Sequence, residues 1–304
     1  MILVAGGTGT LGSRLVDRLL NHGLRVRILT RDASRVPQRD RDNLEVAEGD
    51  VRVRASLTQA MTGVETVVST IHGFAGPGGV SPVSVDRDGN ANLIDGAGAV
   101  NAAVVLMSVI GASANSPMEL FRMKHAAEQH LRASGVPWTI VRANPFLETW
   151  VGLMQTTAGA SGRPLVFGRG DNPISFISAD DVAALLEHIV TDRSTRGETV
   201  EIGGAQGLTL NQLAAAVQKA SGRNGGPRHV PRPVLRGMAM VLGPVKPELA
   251  RQARAALVMD SSDLRFDSTA VREAFPDLPS TTLADLLNRR TQSAAHPVAV
   301  GDDR

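Results

Sequence analysis

The amino-acid sequence predicts an α/β fold: a doubly wound parallel Rossmann-type sheet with a small, partly helical C-terminal lobe. Three observations support this prediction. In the first half of the 304-residue chain, short apolar runs alternate with amphipathic stretches, which is the pattern of βαβ units. A glycine-rich turn, Gly6 to Gly12, directly follows the first apolar run. After Phe146 the alternation stops, and the next segment is rich in Gly, Thr, Ser and Pro.

The individual elements are predicted from apolar periodicity and capping residues. Strands are expected at residues 2–5, 25–30, 44–47, 64–70, 103–107, 138–143 and 199–202, and helices from residue 11 to the glycine at 23, at 86–99 and at 121–134. Two later helices begin at Ser178 and Thr209, where Asp181 and Gln212 stand at capping-box spacing. Residues 151–173 are expected to form a loop, and residues 233–258 to be mostly helical.

These elements suggest a division of the chain. Residues 1–145 and 175–204 are predicted to form the nucleotide-binding domain. Residues 146–174 and 205–290 are predicted to form a substrate lobe, and residues 291–304 a flexible tail.

Composition limits the classes of function. The chain has no cysteine, so it forms no disulfide and no Cys-ligated metal site, and a cytoplasmic location is expected. No apolar run is long enough to span a membrane, and no membrane partner is expected. The arginines between Arg223 and Arg236 have no interleaved aromatic residues, so no nucleic-acid partner is predicted. The sequence has no His cluster, no carboxylate pair at helical spacing and no G-x-S-x-G motif, which argues against metal, glycosidase and hydrolase chemistry.

The glycine-rich turn predicts a phosphate site. Residues 5–12 satisfy both G-x-G-x-x-G and G-x-x-G-x-x-G, between a predicted strand and a predicted helix. Glycines permit a tight turn, a close approach of the backbone to a pyrophosphate, and close packing of helix and strand. The first amides of the helix then meet the negative charge. The residues expected to hold the cofactor here are Gly6, Gly7, Thr8, Gly9, Thr10, Leu11 and Gly12.

The end of the second strand predicts which dinucleotide binds. An NAD-dependent protein usually has an acidic residue there, on the ribose diol. This chain has Arg31, with Arg35 close behind, and a guanidinium pairs well with a 2′-phosphate. NADP(H) is therefore the preferred cofactor. Asp32 leaves NAD(H) open, because a small shift in register would bring its carboxylate to the diol.

Other strand ends supply further candidates. Asp50 and Val51 follow the third strand and are expected beside the adenine. Thr70 and His72 follow the fourth strand, and ligands of parallel sheets gather at the carboxyl ends of strands. His72 is a candidate proton donor near neutral pH.

With these residues the chain resembles the atypical short-chain dehydrogenase/reductase families. It looks most like the NmrA-like and isoflavone-reductase-like NAD(P)H-binding proteins. The resemblance covers residues 1–220, and its more specific part runs from Lys124 to Phe146. It is also carried by Gly6 to Gly12, Arg31, Gly49-Asp50-Val51, Asp88-Gly89-Asn90, Ser108-Val109-Ile110-Gly111 and Ile177 to Ala183.

The resemblance implies catalytic residues, with one departure. In standard short-chain dehydrogenases a Tyr-x-x-x-Lys pair handles the proton; Lys124 matches the lysine, but Leu120 stands at the tyrosine position. The chain contains no tyrosine, so it cannot use the Tyr-x-x-x-Lys mechanism. The resemblance implies that Lys124 is a general acid/base or holds the ribose, and that Ser108 stands where the family has its catalytic serine.

Two functions remain open. The first is an NADPH-dependent reductase of a small apolar electrophile, such as a quinone, an enone or a related carbonyl, with Phe146, Trp150, Met154, Phe167 and Phe176 as candidate pocket walls. The second is a catalytically silent NADP(H)-binding redox sensor that acts through a protein partner. The sequence also leaves a homodimer open.

Overall fold

The computed structural model describes residues 1–37, 41–74, 76 and 79–295. A parallel sheet of seven strands forms its centre, in the order β3-β2-β1-β4-β5-β6-β8. The sheet strands are β1 (Ile2–Ala5), β2 (Val26–Thr30), β3 (Leu44–Glu48), β4 (Thr66–Ser69), β5 (Ala103–Val109), β6 (Trp138–Ala143) and β8 (Thr199–Ile202). A short parallel pair, β7 (Leu165–Phe167) and β9 (Arg228–Val230), lies outside this sheet.

Helices cover both faces of the sheet. They are α1 (Thr10–Asn21), α2 (Asp88–Ala99), α3 (Glu119–Ala133), α4 (Leu147–Ala158), α5 (Ala179–Thr191), α6 (Leu210–Ala220), α7 (Arg232–Val241), α8 (Pro247–Met259), α9 (Thr269–Ala274) and α10 (Leu283–Ala295). One face packs on apolar side chains of α1 and α5, and the other on those of α2 and α3. The predicted doubly wound fold is therefore confirmed.

The topology places the functional cleft. Strand β1 pairs with β2 on one side and β4 on the other, so the strand order reverses between β1 and β4. In such sheets a crevice opens at the carboxyl ends of the strands at this switch point. The turn after Ala5 and the segment after Ser69 meet there.

The C-terminal lobe differs from the predicted elements in several places. Residues 151–173 are not a loop, because α4, a short 3-10 turn and β7 lie there, with Val151 and Met154 buried in the lobe core. Strand β9 was not predicted. The first residues of the predicted tail belong to α10, which continues to Ala295; residues 296–304 lie outside the described part.

The predicted capping box at Ser178 is half correct. The Ser178 side chain accepts a hydrogen bond from Asp180 N and so caps α5. Asp181, however, bonds the backbone and hydroxyl of Thr281 instead of Ser178. The box at Thr209 and Gln212 is complete.

Among the described residues no helix combines the length and apolar character needed to cross a membrane.

Candidate cofactor and active site

The glycine turn is shaped by close backbone contacts. Gly6 has φ +86°, and a Cβ there would lie 2.8 Å from Thr70 Oγ1. A Cβ on Gly12 would lie 2.2 Å from Gly6 O. At Gly9 a Cβ meets only Gly6 O, at 3.2 Å, so this residue faces open space. Gly6 therefore makes the turn, Gly12 lets helix and turn pack, and Gly9 leaves room for a ligand.

The start of α1 has the features of an anion site. Gly9 is its N-cap, no side chain caps it, and its first turn has no acidic residue. The free amides and the helix dipole point at the space above Gly9, where an anion is stabilised. Because these donors lie beside the open face of Gly9, the cradle fits a pyrophosphate.

Arg31 and Asp32 follow β2 at the edge of the cleft, where the sequence predicts the ribose contact. Arg31 is exposed, and within the described residues its side chain has no hydrogen-bond or ion-pair partner. Asp32 uses its carboxylate locally, accepting a bond of 2.9 Å from Ser34 N. The free cation and the occupied carboxylate fit a 2′-phosphate better than a bare diol. Arg35 is also exposed, one turn further on.

Asp50 and Val51, the predicted adenine contacts, are hydrogen-bonded to neighbouring residues. The Asp50 carboxylate accepts two bonds of 3.0 Å from Arg52 Nε and one of 2.6 Å from Arg52 Nη2. These hydrogen bonds hold the pKa of Asp50 below its usual range, and the nearby Arg31 charge adds to the decrease. The Val51 carbonyl accepts a bond of 2.8 Å from Asn92 Nδ2. The Asp50–Val51 turn is thus fixed against α2.

Lys124 lies beneath the opposite end of the cleft. It is only 4% exposed, and its Nζ donates to the carbonyls of Ile71 and Met107, at 2.9 Å each. Asp86 Oδ1 is 3.0 Å from the same nitrogen. The structure therefore brings Lys124 to the ends of β4 and β5, with its ammonium group turned into the protein.

Thr70 and His72 border this end. The Thr70 hydroxyl donates to Ala5 O at 2.9 Å and so connects β4 with the glycine turn. His72 is exposed to solvent in the open cleft. The surrounding protein still removes enough hydration to lower the pKa of His72, with Asp86 opposing the decrease and Lys124 adding to it.

Ser108, in β5, belongs to a buried hydrogen-bond network with α3 and β6. Its hydroxyl donates to Glu128 Oε1 at 2.5 Å, and Glu128 accepts bonds of 2.9 and 2.6 Å from Arg142. Burial acts to raise the pKa of Glu128, but the bonds from Arg142 and Ser108 outweigh it, and the pKa is lowered. Ser108 is thus bonded towards α3 in this structure.

The candidate pocket residues separate into two groups. Phe146 and Trp150 are partly exposed, and Trp150 packs on Phe176 with ring centroids 5.8 Å apart. Met154 has no exposed surface and belongs to the lobe core, as does Phe176. Phe167 packs against the α7–α8 hairpin. Only Phe146, Trp150 and Phe167 therefore present any surface.

Asp86 and Glu128 were not identified from the sequence. Both are fully buried charges that bond predicted site residues. Their partners are distant along the chain, so no local pattern marks them. A charged residue on the buried stripe of a predicted helix was the available signal.

The comparisons with known proteins agree with this geometry. Residues 6–193 match the model of the NAD(P)H-binding family. An NAD(P)H azoreductase from Xenophilus azovorans is 29% identical over 299 residues, 98% of this chain and 94% of that protein.

Two solved structures share the fold. An NADPH-dependent quinone oxidoreductase from Escherichia coli, solved with NADPH, has a TM-score of 0.76 at 22% identity, over 96% of this chain and 100% of that one. A protein from Staphylococcus aureus described as a nucleoside-diphosphate-sugar epimerase also has a TM-score of 0.76 at 22% identity, over 94% and 99%. The fold alone therefore does not decide the chemistry.

The switch-point cleft, the anion cradle and the free Arg31 define a Rossmann-type protein that binds a nicotinamide dinucleotide. The chain belongs to the NAD(P)H-binding family, and the resemblance to NmrA-like atypical short-chain dehydrogenases/reductases is confirmed.

Proposed function

We propose that this protein is an NADPH-dependent reductase of a small apolar electrophile: a quinone, an enone or a related carbonyl. The observation that carries the proposal is the contrast within the cleft. Donors for the cofactor phosphates are free at Arg31 and at the start of α1, while Leu120 offers no hydroxyl to accept the proton of an alcohol or a sugar. Similarity to an azoreductase along the whole chain supports a reductase.

Different residues of the chain would bind the cofactor and contact the substrate. The first-turn amides of α1 bind the pyrophosphate, and Arg31 pairs with the 2′-phosphate, which favours NADP(H) over NAD(H). Bound NADPH supplies a hydride. The acceptor also needs one proton, which water delivers in an open cleft, and His72 donates a hydrogen bond to the acceptor oxygen from its neutral ring. Phe146 and Trp150 form the apolar wall, and their substrate contacts stay predictions.

We also propose that the two parts of the chain act as cofactor domain (1–145 and 175–204) and substrate lobe (146–174 and 205–290). The supporting observation is a separate apolar core shared by α4, α6 and α10. The lobe meets the cofactor side where Arg251 Nη1 lies 3.7 Å from Glu119 Oε2, at the start of α3.

A silent sensor is the second candidate. It is favoured by Lys124 and Ser108, which bond other protein groups and not the cleft. A sensor would need a protein partner that distinguishes the bound from the free form.

The test is NADPH titration followed by NADPH consumption with a panel of benzoquinones, naphthoquinones and enones. We expect turnover with at least one quinone, and loss of both binding and turnover in Gly9→Val. Tight NADPH binding with no turnover across the panel would contradict the reductase and favour the sensor.

A further inference from the structure

The hairpin of α7 and α8 carries a cluster of exposed apolar side chains. The described part of the chain exposes six large apolar side chains, and four of them stand within one short stretch: Val234, Met240, Val241 and Val245. Met240 is 81% exposed, Val241 72% and Val245 78%. A single exposed valine is ordinary, but a cluster of exposed apolar side chains marks a contact surface. Together these four residues form the hairpin patch.

The hairpin does not need this patch for its own core. Leu235 and Ala239 of α7 pack with Ala253 of α8 in a separate buried cluster. Val234 and Val241 stand seven residues apart, about two helical turns, on a different side of α7 from Leu235 and Ala239. The patch is therefore the outer side of a packed hairpin and not part of its core.

Positive charge borders the patch. Arg236 and Lys246 are exposed and, among the residues that the structure describes, neither side chain has a hydrogen-bond or ion-pair partner. Between Glu201 and Glu248 the chain has six Lys or Arg residues and no acidic residue, so this segment supplies no carboxylate to neutralise them. The hairpin patch thus combines apolar surface with an excess of positive charge.

An anionic bilayer surface matches both properties at once. Its headgroups supply negative charge, and the boundary of its acyl chains takes up exposed apolar side chains. A second copy of the chain would instead bring two positively charged patches together, which is unfavourable. A nucleic acid would pair with the cations but would leave Met240, Val241 and Val245 in water.

Lying on a membrane differs from crossing one. The sequence predicts no membrane partner because it has no spanning run, and none of the described helices is long and apolar enough to cross. A surface contact needs only apolar side chains at the interface with basic side chains beside them. The hairpin patch has this composition.

We propose that the α7–α8 hairpin is a peripheral contact for an anionic membrane surface. The side chains of Met240, Val241 and Val245 enter the boundary between headgroups and acyl chains, and Arg236 and Lys246 pair with the headgroups. The contact does not rest on the proposed reductase function, because no step of it uses the cofactor.

The first experiment is vesicle flotation with the full-length protein. We expect binding to vesicles of phosphatidylglycerol and phosphatidylcholine in equal parts, and binding about tenfold weaker to phosphatidylcholine alone. Val241→Ser/Val245→Ser should weaken binding to the mixed vesicles about tenfold, because it removes the apolar contact. Val53→Ser/Val100→Ser changes the two exposed valines outside the hairpin and is the matched control, so it should bind as wild type does.

A second pair of variants tests the charges. Arg236→Gln/Lys246→Gln should weaken binding to the mixed vesicles about tenfold, since each cation near an anionic surface adds to the attraction. Arg193→Gln/Arg196→Gln removes two exposed arginines elsewhere and should bind normally. All four double variants change exposed side chains, so their Tm and their NADPH affinity should stay close to those of wild type. A failure of the reductase proposal would leave these results unchanged.

Insertion has its own readout. In Met240→Trp the new indole should be quenched by lipids that carry bromine on their acyl chains, because the side chain reaches that depth. Val53→Trp, in the same background of Trp138 and Trp150, should gain no quenching.

Three outcomes would overturn the proposal. The first is a wild-type protein that binds neither kind of vesicle. The second is undiminished binding of Val241→Ser/Val245→Ser, with no quenching of Met240→Trp, which would indicate adsorption by charge alone. The third is a dimer by light scattering that becomes a monomer in Val241→Ser/Val245→Ser, without vesicle binding, which would assign the patch to a second copy of the chain.

Discussion

At the β1–α1 end of the cleft, the Arg31 side chain lacks a partner among the described residues and no side chain caps α1. At the β4–β5 end, Lys124, Asp86 and Ser108 are all bonded to protein groups. At the first end the donors are left for a ligand. At the second end the polar groups form hydrogen bonds and ion pairs with other groups of the protein. Binding strength and structural stability are therefore expected to respond to mutation at different ends of one cleft.

The largest effect should be a loss of stability at the β4–β5 end. Glu128→Gln removes the charge that Arg142 and Ser108 bond in a buried site, and we expect a decrease in unfolding free energy of about 3 kcal/mol. NADPH affinity of the folded fraction should be unchanged. Urea denaturation measures the effect, and Asp95→Asn, at a partly exposed carboxylate that contacts Arg54 and His130, should lose less than about 1 kcal/mol. Equal losses of unfolding free energy in Glu128→Gln and Asp95→Asn would contradict this prediction.

The next effect should be a loss of binding at the β1–α1 end. In Gly9→Val the new side chain occupies the open space above the cradle, and we expect NADPH affinity to drop on the order of 100-fold, about 2.7 kcal/mol. The fold should persist, because only Gly6 O is near the new Cβ. Calorimetry and circular dichroism measure both properties. Gly237→Val, on an exposed position of α7 with open space around it, is the matched control and should bind normally.

A smaller effect should distinguish the two cofactors. Arg31→Ala should weaken NADPH binding about tenfold, since a hydrogen bond to a charged group contributes about 1.5–3 kcal/mol. NADH affinity should hardly change. Arg54→Ala, an exposed arginine at another position, controls for net charge. If wild type binds NADPH and NADH equally, the assignment of Arg31 fails and Asp32 becomes the ribose contact.

The smallest effect concerns pH. Desolvation and Lys124 lower the pKa of His72 from its usual 6.5, so the unfolded chain takes up a proton more readily than the folded one. The contribution of this group to stability is therefore retained above pH 6.5 and falls as the pH drops below it. An imidazole titration by NMR gives the pKa directly. A value above 6.5 would indicate that Asp86 dominates the ring's surroundings.

The sequence predicted the strand, the turn and the helix at the β1–α1 end of the cleft well, because their determinants are local. The strand, the glycine turn and the uncapped start of α1 lie within twelve contiguous residues, and Arg31 follows the next strand. Strand β6 (Trp138–Ala143) was also predicted at its observed bounds. Each of these features depends on neighbours in sequence, so periodicity and turn chemistry were sufficient.

The other end and the lobe depend on distant partners. Helix α4 contains Gly152, Thr156 and Thr157, a composition typical of loops, and is helical because Val151 and Met154 complete the lobe core. Asp181 has the spacing of a capping box, but its carboxylate accepts a hydrogen bond from the Thr281 hydroxyl instead. The pairing of Lys124 with Asp86 is equally non-local. Tertiary contacts overrode the local preference in each case.

The glycine turn also limits how this sequence can evolve. A Cβ on Gly12 would lie 2.2 Å from Gly6 O and 2.8 Å from Gly7 Cα, while one on Gly6 would lie 2.8 Å from Thr70 Oγ1. Each glycine thus excludes a side chain at its own position by means of another residue of the same cleft. The atoms that a side chain at Gly12 would meet all belong to the backbone, and no substitution elsewhere removes them, so a lineage that loses the cofactor has no gradual path to refill this position. Such descendants would keep the shape of the nucleotide site long after its use had ended.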